Sequence, residues 1–176
     1  MSAALVTATG IALLGLVYSA VIGFMAATSD GVFQHVSVGI FSTLIMLLSH
    51  SMTMFYLIGK GKAVREAVAE GQLSPDLYTV VAAARKPVFS IATAAMFLTM
   101  LTAIVGGGVD TGALPVAVHS ILAVSAIAAN FMALRTEVAA MSLSSRVVDQ
   151  INTLLTDNES QPRSRVWQGH STHNAA

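Results

Sequence analysis

The chain has 176 residues, of which 55% are hydrophobic and only 10% are charged. Soluble globular proteins carry about 25% charged residues, so this composition excludes a soluble globule. The nine basic and nine acidic residues cancel, which leaves no overall electrostatic basis for binding nucleic acid, and the absence of cysteine excludes disulfides, thiolate metal ligands and covalent c-type haem attachment.

Four long segments without Asp, Glu, Lys or Arg divide the chain, at residues 1–29, 31–59, 87–109 and 111–134. Each is longer than the roughly 20 apolar residues that a transmembrane helix needs. The sequence therefore predicts an all-α membrane protein, an antiparallel bundle of four transmembrane helices within residues 1–137. The predicted spans are about 5–27, 36–58, 88–109 and 115–134.

The first span has no basic residue before it and is longer than the apolar core of a secretion signal, so it is interpreted as a retained helix. Its small residues Gly15, Ser19 and Gly23 recur every four positions, which favours close packing against a neighbouring helix. Short loops with Asp30 and Asp110 follow the first and third spans. The glycine run 106–108 is expected to break the third helix.

All nine basic residues lie on the same side of the predicted bundle. Because Lys and Arg near span ends are retained on the cytoplasmic face, both termini are predicted to be cytoplasmic, in a multi-pass protein of the inner membrane. The long loop and the C-terminal tail hold these residues: Lys60, Lys62, Arg65, Arg85, Lys86, Arg135, Arg146, Arg163 and Arg165.

The segments outside the spans are also predicted to be mainly helical. Residues 59–86 are expected to form a cytoplasmic helical hairpin, with Ser74 as N-cap before Pro75. Residues 138–156 have the apolar periodicity of an amphipathic helix, lying on the membrane or packed on the hairpin. From about residue 157 the composition turns polar, and disorder is expected for residues 157–176.

A polar stripe follows one face of the second span. At about 100° per residue, side chains with small or polar character fall on a single side of this helix. Ionisable groups inside a span are costly, so the stripe is expected to face the bundle interior. Its members include His35, Ser42, Ser49, His50 and Thr53.

The fourth span has a similar stripe, in which Ala123, Ala126, Asn130, Ala133 and Glu137 fall within about 40° of His119. The second and fourth spans run in the same direction, and each has a histidine close to its first turn. His35 and His119 are therefore expected at similar depth. Two imidazoles at one level on facing helices are what a bis-histidine haem b requires. The alternative interpretation places both rings at the membrane surface, with one nitrogen in water.

His50 lies fifteen residues after His35, about 22 Å further along the helix axis. This spacing suits a second haem, but the fourth span offers no matching histidine, which leaves Met96 or Met100 as the other ligand. The alternatives are a neutral imidazole hydrogen-bonded to Ser49, Asn130 or a backbone carbonyl, or a role in moving protons.

Three functions are compatible with these residues. The first is electron transfer by haem b held between His35 and His119, with a quinone or a partner membrane subunit. The second is a non-catalytic membrane subunit or scaffold, and the third is a small proton or solute transporter with Ser42, Ser49, His50, Thr53 and Asn130 as its polar path. No catalytic constellation is recognisable, so enzymatic activity stays undecided, as does assembly into a homo-oligomer.

Overall fold

The structure is a computed structural model that describes residues 2–26 and 28–160, and the described residues contain four helices and no strand. This confirms the predicted all-α architecture. The helices are α1 (Ser2–Met25), α2 (Ser29–Glu70), α3 (Asp76–Asp110) and α4 (Val116–Ser160).

All four helices are long and apolar enough to cross a membrane. Even the shortest, α1, has 24 residues and a length of about 36 Å, more than the roughly 30 Å hydrocarbon core of a bilayer. Large apolar side chains cover the outside of the bundle, where lipid can solvate them. The most exposed include Leu14, Phe24, Phe33, Phe41, Leu44, Leu48, Phe55, Phe97, Ile104 and Ile121.

The helices pack as two hairpins. Helix α1 packs along α2 and α3 packs along α4, while α2 also contacts α3 and α1 also contacts α4. Across the diagonals, α2 touches α4 whereas α1 and α3 do not meet. The faces of α2 and α4 that carry the histidines therefore meet inside the bundle, as the two stripes predicted.

Small residues bring α1 and α2 close together. Gly15 lies against the hydroxyl of Ser42, and a β carbon at Gly39 would stand 2.9 Å from the hydroxyl of Ser19. In membranes, helices associate through such small-residue contacts because lipid offers no hydrophobic driving force between them. The packing role predicted for the first helix is confirmed.

Helices α2 and α3 continue well beyond the predicted spans and are joined by a short turn. Gly71 caps α2, and Gln72 takes the left-handed conformation, with φ 51°. Helix α3 has Pro75 at its N-cap, with no side-chain cap hydrogen bond, so the predicted N-cap at Ser74 is one residue too early. The Ser74 hydroxyl does accept a hydrogen bond from the Asp76 amide at 3.3 Å.

Helix α4 is one continuous helix of 45 residues, so residues 138–156, predicted to form an amphipathic helix, are the last part of the fourth helix. Its Val147 and Ile151 pack in one buried cluster with Val64, Val68 and Val81 of α2 and α3. The predicted disordered tail begins within α4, which ends at Ser160, and the rest of it lies outside the described residues.

The glycine run 106–108 does not break α3, contrary to the sequence prediction. The helix continues through it to Asp110, and the turn that follows has Gly112 at φ 72°. Unpaired backbone groups are costly in an apolar environment, so a transmembrane helix tolerates glycine rather than unwinding at it. Gly106 also leaves room for a histidine ring, because it has no side chain.

A candidate cofactor cavity and a buried histidine network

His35 is clamped to α1 by reciprocal hydrogen bonds with Ser19. Its Nδ1 lies 2.7 Å from the Ser19 backbone oxygen, and the Ser19 hydroxyl donates to the His35 backbone oxygen at 3.0 Å. A carbonyl oxygen only accepts, so Nδ1 carries the hydrogen and donates it. In the neutral ring, the lone pair is therefore on Nε2. This is the arrangement in which a histidine ligates a metal while its other nitrogen is held by the protein.

Glycines on the neighbouring helices give both histidine rings their space. A β carbon at Gly23 would come within 2.7 Å of two atoms of the His35 ring, and one at Gly106 within 3.1 Å of His119 Cε1. The Nδ1 atom of His119 is buried and has no hydrogen-bond partner in the described part of the chain. An unpaired buried polar atom is costly, which makes this ring a candidate for binding a ligand.

The two histidines meet, as their matched depth predicted. Their ring centres are 5.9 Å apart and the ring planes are nearly perpendicular, at 84°. They lie at the end of the bundle where α2 and α4 begin, here called the cavity end. The opposite end, which carries Lys60, Arg85 and Arg135, is called the basic end.

A cavity of about 590 Å³ surrounds the two rings. This volume lies within the range of small-molecule and cofactor sites, about 300–1,000 Å³. Four large apolar residues of its lining, Val32, Val36, Ile40 and Val116, are also exposed on the outside of the bundle, so the cavity borders the lipid-facing surface. Most of the other walls are small side chains from all four helices, including Ser19, Ala20, Gly23, Gly39, Thr43, Thr99, Thr102, Ala103, Gly106, Gly107, Ala123 and Ala126.

The cavity does not contain the ligands of a bare metal ion. Among residues 2–26 and 28–160, no group of three or more His, Cys, Asp or Glu side chains is placed to hold one. His35 and His119 are a pair, whereas zinc sites use three or four protein ligands. A metal held here needs most of its ligands from elsewhere.

His50 forms a second site, nearer the basic end, and is fully buried. Its Nδ1 lies 2.6 Å from Glu137 Oε1, and its Nε2 lies 2.9 Å from Asn130 Oδ1. The Asn130 amide nitrogen is 2.7 Å from both the Thr99 hydroxyl and the Ala126 backbone oxygen. Thr99 in turn donates to the Ala95 backbone oxygen at 2.8 Å. The network thus joins α2, α3 and α4 through side chains that are almost completely enclosed.

Both ring nitrogens of His50 are therefore engaged, and neither is free to ligate a cofactor. Of the two methionines predicted as possible second ligands, Met96 accepts a weak hydrogen bond from the Ser51 hydroxyl, and Met100 is exposed. The expected hydrogen bond to Asn130 is present, but the second partner is Glu137 rather than Ser49. In the structure, His50 is hydrogen-bonded to Glu137 and Asn130 inside the bundle.

Sequence reasoning missed Glu137 as the partner of His50. Helical periodicity places Glu137 on the stripe of His119, but the predicted fourth span ends at residue 134, which leaves Glu137 outside the predicted span. The sequence did contain one indication that Glu137 is buried, because its carboxylate lies on the same helix face as Asn130 and several alanines. Glu137 is 1% exposed, whereas Arg135 points outward.

The remaining members of the predicted polar path are buried but do not form one chain of hydrogen bonds. Ser42 packs on Gly15, and the Thr53 hydroxyl is enclosed without a hydrogen-bond partner among residues 2–26 and 28–160. Ser49 is buried on the same face of α2. The connected polar groups are those around His50 and Asn130.

Comparisons with known proteins find no match: no family model fits the chain, and no similar curated protein or solved structure is found.

Proposed function

We propose that this integral membrane protein binds haem b between His35 and His119 and transfers electrons. The observation that carries the proposal is the pair of imidazoles, 5.9 Å apart, inside a cavity walled by small residues. When bound, haem b supplies an iron centre that gains and loses one electron. The protein's part is to hold both axial nitrogens, to exclude water and to set the surrounding charge.

The separation of the rings fits two axial ligands of one metal. A metal bound to one nitrogen of each imidazole holds the ring centres about 6 Å apart, because each metal–nitrogen bond is about 2.0 Å and each ring centre lies roughly 1 Å beyond its nitrogen. The Ser19 clamp leaves the His35 lone pair on Nε2, as ligation requires. The unpartnered Nδ1 of His119 marks the second ring as incompletely satisfied.

The shortage of other ligands favours haem over a bare ion. A haem would bring most of its iron ligands with it, so His35 and His119 would be enough to hold it. The glycines and alanines of the walls leave room for a flat ring, and the apolar lining suits its carbon skeleton. Both features agree with the four-helix sites in which cofactors bind between facing helices.

The electron partner is proposed to be a quinone or a partner membrane subunit. Four lining residues of the cavity also face the lipid side of the bundle, so a lipid-soluble molecule can approach from within the bilayer. The basic end is proposed to face the cytoplasm, since Lys and Arg concentrate there and Asp30 and Asp110 stand at the other end.

The test is an absorbance spectrum of the detergent-purified protein, reduced minus oxidised, with haem measured per chain. The expected result is a b-type spectrum at one haem per chain, lost in both His35→Ala and His119→Ala. A matched control is Gln34→Ala, next to His35 on the exposed side of α2, which should keep its haem.

A chemical rescue separates ligation from folding. His119→Gly leaves a hole of imidazole size, so added imidazole should restore haem binding if the residue acts as a ligand. A colourless wild-type protein from haem-replete cells would overturn the proposal. So would a haem that survives the loss of either histidine.

A further inference from the structure

The hydrogen-bond directions around His50 fix where its protons lie. The Asn130 amide nitrogen is 2.7 Å from the Ala126 backbone oxygen, which can only accept, so the amide oxygen must be the atom that faces His50. That oxygen also only accepts, and His50 Nε2 therefore carries a hydrogen. The remaining proton of the site lies between His50 Nδ1 and Glu137 Oε1, 2.6 Å apart.

This pair can hold either one or two protons without repacking. With one shared proton the pair is neutral overall, as imidazolium and carboxylate or as imidazole and carboxylic acid. With a second proton on the carboxyl group, the Oε1 carbonyl can still accept from Nδ1–H and the pair carries one positive charge. The bundle thus contains a buried site whose charge changes by one while its hydrogen bonds persist.

Few other polar groups face this pair in the described residues. Helix α2 contributes Thr53, α3 contributes Thr99 and α4 contributes Asn130, while α1 has no charged side chain. The nearest cations along α3 and α4 are Arg85 and Arg135, towards the basic end. Without a compensating charge beside it, the pair responds to any charge placed elsewhere in the low-dielectric bundle.

Thr53 is a second buried polar group on the side of the pair towards the basic end. It lies one turn beyond His50 and is fully buried, yet its hydroxyl has no hydrogen-bond partner among the residues that the structure describes. Other helical hydroxyls, such as those of Ser51 and Thr99, donate to the carbonyl four residues before them. An unpaired buried hydroxyl is costly, and this one lies on the side of the pair that is nearer the basic end.

The other side of the pair leads to the cofactor cavity but does not conduct protons. Thr99 and Ala126, which accept from Asn130, both line the cavity. An amide that donates both hydrogens cannot easily pass a proton on, so the link is one of polarisation. The hydrogen bonds of Asn130 therefore connect the pair to the wall of the cavity, which leaves the side of Thr53 as the expected route for a proton.

From this arrangement we infer that His50 and Glu137 form a redox-linked proton-binding site. The inference rests on the proposed function. If an electrode supplied one electron to a haem held by His35 and His119, the added negative charge would favour uptake of a proton by the Glu137 carboxylate from the basic end. Withdrawal of the electron by the electrode would release that proton again. By reciprocity, protonation of the pair makes reduction of the haem easier.

The experiment is a redox titration of the purified holoprotein at several pH values, comparing wild type with Glu137→Gln. Glutamine can still donate to His50 Nδ1, so this variant keeps the hydrogen bond and loses the titrating group. In the wild type the midpoint potential should fall as pH rises. The fall should be clearly shallower in Glu137→Gln, and the protons taken up per electron, measured with an indicator dye, should drop towards zero.

The matched control is Glu66→Gln, which alters an exposed carboxylate on α2 that pairs with Lys62. It should behave as wild type, and any titration of the haem propionates remains in all three proteins. Equal slopes in wild type and Glu137→Gln, with the haem spectrum intact, would overturn the inference and leave the proposed function standing. A colourless wild type would overturn both.

If Glu137→Gln does not fold, an infrared difference spectrum of the wild type still tests the inference. Reduction of the wild type should raise a protonated-carboxyl band that shifts in heavy water. Absence of that band would show that no buried carboxylate gains a proton, which overturns the inference.

Discussion

The ring of His35 lies over Gly23 of the neighbouring helix, where a β carbon would approach two ring atoms to 2.7 Å. The same ring donates to the backbone oxygen of Ser19, one turn earlier on α1. Gly23 leaves space for the ring, and the backbone oxygen of Ser19 holds the ring by a hydrogen bond. The two residues together therefore fix its orientation. The orientation of the first candidate ligand thus depends on α1, a helix that contains no Asp, Glu, Lys, Arg or His.

Gly23→Ala should displace His35 and weaken haem binding about tenfold, equivalent to about 1.4 kcal/mol. Haem per chain after purification and after dilution measures this loss. Gly10→Ala is the control, since it makes the same change on the same helix at a position with nothing within 4 Å. Equal haem retention in the two variants would show that the contact with His35 does not orient a ligand.

Asn130→Leu should destabilise the protein by about 1–3 kcal/mol, because it leaves the Nε2 hydrogen of buried His50 without an acceptor. Reversible unfolding in mixed detergent measures the change. Asn152→Leu, on an exposed face of α4, should have an effect within about 0.5 kcal/mol. A similar cost at both positions would contradict the assigned network.

Gly61→Ala should be less stable than Gly59→Ala by about 1 kcal/mol. The guanidinium of Arg85 lies directly against Gly61 and donates to the Leu57 backbone oxygen at 3.4 Å, whereas nothing lies within 4 Å of Gly59. Both substitutions improve helix propensity equally, so their difference in unfolding free energy isolates the arginine contact. Equal stabilities would place Arg85 away from α2.

Val81→Ala should cost about 2 kcal/mol, from two lost methylene equivalents at about 0.8 kcal/mol each and the cavity that they leave. Val81 is fully buried among residues of α2 and α4, whereas its neighbour Val80 is 45% exposed. Val80→Ala should change the unfolding free energy by less than about 0.5 kcal/mol. If Val80→Ala cost more unfolding free energy than Val81→Ala, α3 would pack its opposite face against α2 and α4.

Much of the fold was predictable because membrane insertion depends on composition along short segments. A span needs about 20 residues without charge, and the gaps between charged residues located all four. The side of α2 that faces the bundle interior was predictable too. As expected, Ser42, His50 and Thr53 are buried, while Leu44 and Leu48 are exposed. Helical periodicity alone decides which residues share a face.

Helix ends were less predictable than helix faces. The glycine run 106–108 signals a stop in water, but in this bundle it continues the helix and accommodates the ring of His119. Likewise, α4 does not end after its span but extends to pack Val147 and Ile151 on α2 and α3. Packing against neighbouring helices outweighed the local preferences in both cases.

The sequence by itself determined that the chain is a bundle of four apolar helices, which residues face its interior, and that His35 and His119 share one depth. Only the tertiary structure decided that the two rings approach to 5.9 Å and that His50 pairs with Glu137. The physical reason is that period and composition are properties of single helices. The distance between two side chains depends on how closely and at what rotation their helices pack. Around the His35 and His119 rings, Ser19, Gly23 and Gly106 on neighbouring helices contribute to that packing.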